Sequence, residues 1–283
     1  MKKILVIGLV GESVFLKCDH FHQPNETISC EKMYTEIGGK GFNQALTINT
    51  LGGDVEFISS IGNDYYGQIC VDETKKLGLK HIYFKTESNT SFATILTDKS
   101  GDNQVSVYRG STVNKEHLNY IYQCIDNTDL ILLQFEMDLD VIKEIIRYSK
   151  TKQKYVILNP APAVCMFEEV LMCDLIIPNE NEVEVLFGKE YVEKIQNSSL
   201  NVVVTLGSKG SMIINKKEVI NIPCEKVNVI DTTGAGDVFC GSLTYMLSKD
   251  KDLHESVVYA SKMASESVKY HCVIPSILHL KKL

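Results

Sequence analysis

The chain has 283 residues, of which 44% are hydrophobic and 23% are charged, which allows one large globular domain or two small ones. Its formal net charge of -7 argues against nucleic acid as the main partner. The nine cysteines contain no Cys-x-x-Cys pair, which argues against zinc and against a disulfide framework and predicts a cytoplasmic location. No segment is long enough to span a membrane, and the apolar residues 4–10 are predicted to be a buried strand, not a signal peptide.

Short β-branched runs alternate with segments of helical periodicity along most of the chain. The predicted strands are residues 4–10, 55–59, 130–134, 155–158, 175–177 and 202–206. The predicted helices are residues 42–51, 65–77, 115–125, 139–150 and 180–187, followed by a hairpin at 211–214 and 218–220 and by closing helices at 236–247 and 253–270. Continuous apolar strands separated by helices are typical of a mainly parallel sheet with helices on both faces, so we predict a three-layer α/β/α sandwich.

Two stretches interrupt this alternation. Residues 12–36 are mostly polar with interleaved Phe, Val and Tyr, and residues 91–108 have the pattern of a hairpin with a glycine-bearing loop. Extra antiparallel strands on an α/β body suggest a small sheet that acts as a lid. We therefore predict a lid of residues 12–36 and 89–111 on a core of residues 1–11, 37–88 and 112–283.

The segment VIDTTGAGDVF at residues 229–239 places two glycines in a turn between two apolar runs. Residues 227–230 are predicted to be strand-like, and Gly236 is predicted to open a helix. Unpaired N–H groups and the helix dipole make such a helix start an anion site, and the glycines Gly234 and Gly236 let an anion approach the backbone closely. The alternative is that Asp237 only caps the helix.

A second glycine cluster, GGKGFNQA at residues 38–45, also opens a predicted helix. It is not a Walker A loop, because Gly41 follows Lys40 where Ser or Thr would bind magnesium. Glycines beside Lys40 and Asn43 are suited to hydrogen-bond a hydroxylated ligand. The alternative is a flexible turn with a solvated lysine.

A third polar cluster follows the predicted strand at residues 175–177. Asn179 and Glu182 are three residues apart, so they share one face of the predicted helix. An amide and a carboxylate at the carboxyl end of a strand can hold magnesium through its waters. The alternative is a capping box in which Asn179 caps the helix and Glu182 reaches back.

Together these segments resemble the ribokinase-like, or PfkB-type, carbohydrate kinase family over nearly the whole chain. The resemblance rests on five segments in the order of the family, at residues 38–45, 158–163, 179–182, 205–210 and 231–237. It implies that Asp237 is the catalytic base and that Gly234, Ala235 and Gly236 form the anion hole for the transferring phosphoryl group. It also implies a sugar site at Gly39, Lys40, Asn43, Glu136 and Asp237, nucleotide contacts at Asn179, Thr205, Gly207, Ser208 and Gly210, and a monovalent cation site at backbone groups of Asp231 and Thr233.

The sequence departs from the family in the sugar site. Family members carry an Asp after the first strand that binds two sugar hydroxyls, and counting from Gly8 or Gly11 reaches Ser13 or Leu16 instead. Ser13 is therefore the candidate for this substrate-binding position. Three nearby polar residues are either substitutes for the lost carboxylate or ordinary lid residues: Asp19, His20 and His22.

Cofactors and assembly follow from the same resemblance. It implies Mg²⁺, held through water by Asn179 and Glu182. Whether K⁺ activates the enzyme is left open, because Cys272 occupies a position where the cation loop often has Gly. A lid sheet has a free edge to protect, and pairing of two lids in a homodimer, as is common in the family, would protect it.

These patterns predict an ATP-dependent kinase that transfers the γ-phosphoryl group to a primary hydroxyl of a small sugar or sugar-like acceptor. One alternative is a nucleoside kinase of the same fold, since a nucleoside presents the same hydroxyl. Another is a catalytically idle sugar-binding or sensor protein, against which Asp237 and the Asn179/Glu182 pair argue. The acceptor stays open because Ser13 replaces an aspartate.

Overall fold

The computed structural model describes residues 1–282 and confirms a three-layer α/β/α fold with a second, smaller sheet. In this part of the chain the strands are β1 (Ile4–Ile7), β2 (Gly11–Lys17), β3 (Lys32–Gly38), β4 (Val55–Gly62), β5 (His81–Thr86), β6 (Ser91–Thr97), β7 (Asn103–Tyr108), β8 (Leu130–Gln134), β9 (Tyr155–Asn159), β10 (Leu175–Ile176), β11 (Val202–Thr205), β12 (Ser211–Ile214) and β13 (Val219–Ile222).

The helices alternate with the strands of the larger sheet. Within residues 1–282 the α-helices are α1 (Lys40–Thr50), α2 (Tyr65–Lys76), α3 (Leu118–Asp126), α4 (Leu139–Thr151), α5 (Glu180–Phe187), α6 (Tyr191–Gln196), α7 (Ala235–Ser248), α8 (Leu253–Ser267) and α9 (Val273–His279). Among these residues, no helix combines the length and the apolar character that crossing a bilayer requires.

The larger sheet has nine strands in the order β13-β12-β11-β10-β9-β8-β1-β4-β5, and all neighbours are parallel except those of β12 and β13. The central strand β1 explains the three layers. Ile4 and Val6 pack into one core with α1, α2, α7, α8 and α9, whereas Leu5 and Ile7 pack into a second core with α3 to α6. Because side chains alternate along a strand, a strand covered on both faces must be apolar at every position.

The carboxyl ends of the parallel strands bring polar residues to one edge of this sheet. Gln134 ends β8, Asn159 ends β9 and Thr205 ends β11, and Asn179 forms a parallel bridge with Thr205. In open parallel sheets ligands bind outside this edge, so the fold places the candidate site there.

The smaller sheet has the order β3-β2-β6-β7, and its strands lie in or beside the two segments predicted to be a lid. Its strand β2 pairs antiparallel with β3 and parallel with β6. β2 begins at Gly11 and β3 ends at Gly38, so both strands extend one or two residues beyond the predicted lid limits. Since β3 runs almost directly into α1, the smaller sheet is joined to the start of the helix that carries Lys40 and Asn43.

The structure adds one strand to the prediction, and two local expectations were wrong. Strand β5 was not predicted; it lies at an edge of the sheet with β4 as its partner, and most of its residues are only half-buried. Residues 227–230 form no strand, and Val227 and Val229 instead line a cavity. The last predicted helix ends at Ser267, and the chain turns at Cys272, which has a φ of 69°, before α9 begins.

Candidate active site

The turn at residues 231–234 leads directly into α7. Gly234 is the N-cap with a φ of 78°, and the helix begins at Ala235, one residue before the predicted start. A Cβ on Gly234 would lie 2.8 Å from Cγ1 of Val273, so both conformation and space favour glycine there. A Cβ on Gly236 would meet nothing within 4 Å, so the first turn of the helix borders open space. The N–H groups of Gly234 and Gly236 have no hydrogen-bond partner within residues 1–282, whereas the Ala235 N–H donates to Thr232 O at 3.2 Å. The two glycine N–H groups are therefore suited to bind an anion.

Asp237 lies in the first turn of α7 and only 7% of its surface is exposed. Its Oδ2 accepts a hydrogen bond of 2.9 Å from Asn43 Nδ2, and its Oδ1 accepts one of 3.0 Å from Gln44 Nε2. The helix has no side-chain cap, so the capping role considered as an alternative for Asp237 is not seen. Two amide donors from α1 fix the orientation of the carboxylate instead.

Two buried glutamines extend this network, and sequence reasoning did not identify either of them. Gln44 Nε2 also donates to Asn159 Oδ1 at 3.0 Å, and Gln44 Oε1 accepts a hydrogen bond of 2.7 Å from Gln134 Nε2. The available signals were local: Gln44 follows Asn43 in the glycine-rich segment, and Gln134 ends an otherwise apolar strand. The network therefore joins Asp237 to the carboxyl ends of β8 and β9.

Asn43 has one group left for a ligand. Its Oδ1 is buried and has no hydrogen-bond partner within residues 1–282. A buried acceptor without a partner is costly, so a ligand hydroxyl or a water that donates to it would be stabilised. This property matches the sugar-site role that the family resemblance implies.

Lys40 begins α1 after Gly39, whose φ is 112°. The backbone N–H of Lys40 donates to Glu136 Oε2 at 2.7 Å, which connects the glycine-rich segment to the residue two positions after β8. The negative charge of Asp237 raises the pKa of the Lys40 ammonium, and Glu136 and Glu182 add to this effect. Lys40 is thus a cation placed among three carboxylates.

Burial raises the pKa of Glu136 to about 7, although the positive charge of Lys40 opposes the shift. The repulsion from Asp237 adds to the rise. A carboxyl group that titrates near neutral pH can either donate or accept a hydrogen bond there. Glu136 therefore lies close to the predicted base and has a protonation state that is sensitive to pH.

Asn179 and Glu182 form the capping box that was the alternative interpretation. Asn179 Oδ1 accepts from the Glu182 N–H at 2.8 Å, and Glu182 Oε2 accepts from the Asn179 N–H at 2.8 Å. Both residues nevertheless line a cavity together with Asp237 and Lys40. Burial raises the pKa of Glu182, so a nearby cation would stabilise its ionised form.

A direct metal cage is not present in the described part of the chain. No three His, Cys, Asp or Glu side chains within residues 1–282 come together as ligands. One carboxylate beside an amide matches the way Mg²⁺ is often bound, through a few protein oxygens, substrate phosphates and retained waters. The donor set at Asn179 and Glu182 therefore suits water-mediated binding of Mg²⁺.

Two cavities meet at the start of α7. The smaller one, of about 140 Å³, is lined by Lys40, Asn159, Ala161, Ile177, Asn179, Glu182, Thr205, Gly234, Gly236, Asp237 and Cys240. The larger one, of about 580 Å³, is bordered by the predicted nucleotide residues Thr205, Gly207, Ser208 and Gly210 and by apolar residues of α7 and α8. Thr205 and Gly236 line both cavities, so a ligand in the larger one can reach Asp237 along the first turn of α7.

The residues predicted for a monovalent cation lie beside this turn. Asp231 Oδ1 accepts a hydrogen bond of 2.9 Å from the Thr233 N–H, and Asp231 Oδ2 accepts one of 3.4 Å from the Cys272 N–H. Both carboxylate oxygens are thus directed at backbone donors. Cys272 keeps a positive φ at a position where the family often has Gly, so the loop adopts this conformation without glycine.

Ser13 lies on the face of the smaller sheet that borders the glycine-rich segment. It is paired with Glu36 of β3 and Ala93 of β6. A Cβ on Gly38 would lie 3.0 Å from Ser13 Oγ, so the hydroxyl is next to the segment that leads into α1. Leu16 lies three residues further along β2 and faces the opposite side, which favours the count that reaches Ser13.

The other three candidates for the acceptor site lie beyond the end of β2. Asp19, His20 and His22 are in the loop between β2 and β3, and neither they nor Ser13 line either of the two cavities. His20 contacts Asp19 at 3.4 Å and Glu26 at 3.0 Å, and Asp19 forms an ion pair with Lys99. Asp19 and His20 are thus engaged by Glu26 of the same loop and by Lys99 of the loop between β6 and β7.

The fold and the site together define a sugar kinase, and comparison with known proteins identifies its family. The model of the pfkB family carbohydrate kinases matches residues 1–279. The chain is 31% identical to a ribokinase of Staphylococcus aureus (strain COL), over 99% of this chain and 98% of that protein. It is 26% identical to a deoxyribokinase of Salmonella typhi, over 94% of this chain and 92% of that protein.

The structural comparison agrees. The crystal structure of ribokinase from Thermotoga maritima is 31% identical and superimposes with a TM-score of 0.89 over 100% of this chain and 99% of that chain. The chain belongs to the PfkB family of carbohydrate kinases. It is therefore a phosphotransferase that acts on a sugar hydroxyl.

Proposed function

We propose that this enzyme phosphorylates the primary hydroxyl of a small five-carbon sugar with ATP and that Asp237 is the base. The observation that carries the proposal is the position of Asp237. It lies in the first turn of α7, between the small cavity bordered by Lys40 and the large cavity bordered by Gly207 and Ser208. A hydroxyl in the small cavity and a triphosphate in the large one would meet at this carboxylate.

The chemical step needs positioning and neutralisation of charge more than covalent chemistry. Asp237 accepts the proton of the attacking hydroxyl, while Asn43 and Gln44 hold its two oxygens in place. The free N–H groups of Gly234 and Gly236 stabilise the negative charge of the phosphoryl group during transfer, whereas the Ala235 N–H between them must leave Thr232 O to contribute. The ammonium of Lys40 adds positive charge on the acceptor side.

Nucleotide and metal binding use the edge of the sheet next to this turn. The apolar wall from α7 and α8 supports a base and ribose in the large cavity, and Thr205, Gly207, Ser208 and Gly210 border the same space. Asn179 and Glu182 would hold Mg²⁺ through water molecules, and the ion would neutralise phosphate charge when bound. Backbone groups at Asp231 and Thr233 would hold a monovalent cation.

Assembly and location are further parts of the proposal. Val105 and Val107 of the edge strand β7 are each 57% exposed, which favours coverage of the lid by a second copy of the chain in a homodimer. The nine cysteines, all free in the described structure, favour the cytoplasm.

The preferred acceptor sugar is inferred from the serine at position 13, Ser13. A carboxylate at this position would make two charge-assisted hydrogen bonds to adjacent hydroxyls, each contributing about 1.5–3 kcal/mol. A serine makes a neutral bond of about 0.5–1.5 kcal/mol, and each 1.4 kcal/mol corresponds to about a tenfold change in affinity. We therefore expect ribose to bind weakly and an acceptor that lacks one of the two hydroxyls, such as 2-deoxyribose, to compete well with it.

The test is steady-state kinetics by coupled ADP release with pentoses, hexoses and nucleosides. Ser13→Asp should raise kcat/KM for ribose about tenfold or more, whereas Ser13→Asn, which has the same shape without the charge, should not. A wild-type KM for ribose in the low micromolar range with rapid turnover would contradict the assignment of the acceptor. Absence of ADP release with every sugar would contradict the proposed function itself.

A further inference from the structure

Glu36 of the lid strand β3 contacts the carboxyl-terminal part of the chain. Its Oε2 accepts a hydrogen bond of 2.9 Å from the Val273 N–H, across a sequence separation of 237 residues. Val273 is the first residue of α9. The first N–H groups of α9 lack partners within the helix, and the lid supplies one for them.

Val273 connects this contact to the phosphoryl-binding turn. Its side chain is buried and lies against Gly234, since a Cβ on that glycine would be 2.8 Å from Val273 Cγ1. The preceding residue, Cys272, donates its N–H to Asp231 at the other end of the turn. The turn at residues 231–234 is therefore held in place by the two residues whose position Glu36 helps to fix.

Glu36 also lies next to Ser13, the residue proposed to contact the acceptor. Glu36 is the direct cross-strand partner of Ser13, and it comes two residues before Gly38, which borders the Ser13 hydroxyl. Directly paired residues of an antiparallel ladder project on the same face, so a shift of β2 and β3 around a bound acceptor would also move Glu36.

The carboxylate stays in this place at an energetic cost. Burial raises the pKa of Glu36, and the nearby negative charge of Asp231 adds to the rise, while the N–H groups of Val273 and Ile274 oppose it. Forming strand β3 does not require an acidic residue, since an apolar side chain would serve a half-buried lid strand as well. The contact with α9 is what a glutamate adds at this position.

We propose that Glu36 is a positioning residue that couples acceptor binding at the lid to the phosphoryl-binding turn at residues 231–234. The inference rests on the proposed function. Acceptor binding fixes β2 and β3, Glu36 then holds Val273 against Gly234, and the N–H groups of the turn are set for the triphosphate. The acceptor therefore tightens nucleotide binding, and by reciprocity the nucleotide tightens acceptor binding by the same factor.

The experiment measures this factor directly. The dissociation constant of a non-hydrolysable ATP analogue is determined by calorimetry without acceptor and with the saturating acceptor that has the highest kcat/KM in the kinetic panel. For the wild-type enzyme we expect the acceptor to tighten binding by a factor of about 5–150, the usual range of such coupling. In Glu36→Ala the factor should fall to about one.

Matched variants separate coupling from stability. Glu36→Gln keeps the shape and an acceptor oxygen, so it should retain an intermediate factor, and it decides the question alone if Glu36→Ala does not fold. Glu31→Ala removes an exposed carboxylate just before β3 and should leave the factor at the wild-type value. Thermal unfolding of each variant reports a merely structural role, which would lower stability without changing the factor.

Two outcomes would overturn the inference: a wild-type factor of one, or a factor that Glu36→Ala and Glu36→Gln both leave unchanged. Either result leaves the proposed function intact as long as the acceptor is phosphorylated. If no acceptor releases ADP, the proposed function fails instead, and the two failures are thus distinguishable.

Discussion

Gln44 Nε2 lies 3.0 Å from Asp237 Oδ1, although the two residues are 193 positions apart in the chain. The same nitrogen lies 3.0 Å from Asn159 Oδ1, and the oxygen of the same amide accepts from Gln134. Gln44 therefore fixes which way the Asp237 carboxylate faces, and it is fully buried, with both its amide nitrogen and its amide oxygen hydrogen-bonded.

Replacing the amide donor of Gln44 with a hydrogen-bond acceptor should impair catalysis. In Gln44→Glu a carboxylate replaces the amide and faces Asp237, so the stabilising bond becomes a repulsion. Loss of a hydrogen bond to a charged group costs about 1.5–3 kcal/mol, which corresponds to about a 10- to 100-fold decrease in kcat. Steady-state kinetics measure the effect, and Gln123→Glu, on the exposed side of α3, is the control. Unchanged kcat in Gln44→Glu would show that the network does not orient the base.

Removing the proposed base should have a larger effect. Asp237→Asn keeps the shape of the side chain but cannot take a proton, so kcat should fall by about 10²–10⁴. The affinity for a non-hydrolysable ATP analogue should change little, because the proposed anion site consists of backbone N–H groups. Calorimetry and single-turnover kinetics separate the two quantities. Turnover close to that of the wild type would remove Asp237 from the mechanism.

The dependence on magnesium tests Glu182. Glu182→Gln can still accept the hydrogen bond from the Asn179 N–H, so the helix cap and the fold should persist. The charge that would attract the hydrated ion is lost, and we expect a higher magnesium concentration at half-maximal rate together with a lower kcat. Titration of activity with Mg²⁺ at fixed ATP gives both values. If both match the wild type, Asn179 and Glu182 act as a helix cap alone.

The pH dependence of acceptor use tests Glu136. Because burial raises its pKa to about 7, the group is largely protonated below that pH in the free enzyme and ionised above it. An ionised carboxylate accepts stronger hydrogen bonds from sugar hydroxyls, so kcat/KM for the acceptor should increase as the pH rises through about 7. Glu136→Gln should flatten this step at a lower plateau. If Glu136→Gln shows the same increase in kcat/KM with pH as the wild type, the titrating group is not Glu136.

Much of the fold could be predicted because it depends on local patterns. The continuous apolar residues 4–7, 130–133 and 202–204 can be buried on both faces only in a parallel sheet covered by helices, and they form β1, β8 and β11. Strand β5 was not predicted because it is an edge strand whose residues are mostly half-buried, so its sequence lacks a continuous apolar pattern. Residues 227–230 have a strand-like composition, but Val227 and Val229 border a cavity, and no strand within residues 1–282 pairs with this segment.

Some residues of the candidate site could be predicted from the sequence, and others could not. Lys40, Asn43 and Asp237 could be identified because each belongs to a short segment with an unusual glycine pattern. Gln44 and Glu36 could not, because their importance comes from partners about 190 to 240 residues away in the chain. These contacts depend on how α1 packs on α7 and how β3 meets α9, and a local sequence pattern does not indicate that packing.

The close packing of α1 on α7 also governs when the enzyme becomes active during its own synthesis. Asn43 leaves the ribosome 194 residues before its partner Asp237. At about 5–20 residues per second, the interval is about 10–40 seconds. Throughout that time the growing chain holds the helix of the proposed acceptor site but neither the proposed base nor the turn at residues 231–234. We therefore expect nascent chains to be unable to turn over ATP until α7 closes onto α1 and until α8, which borders the large cavity, and α9, which contacts Gly234, have packed as well.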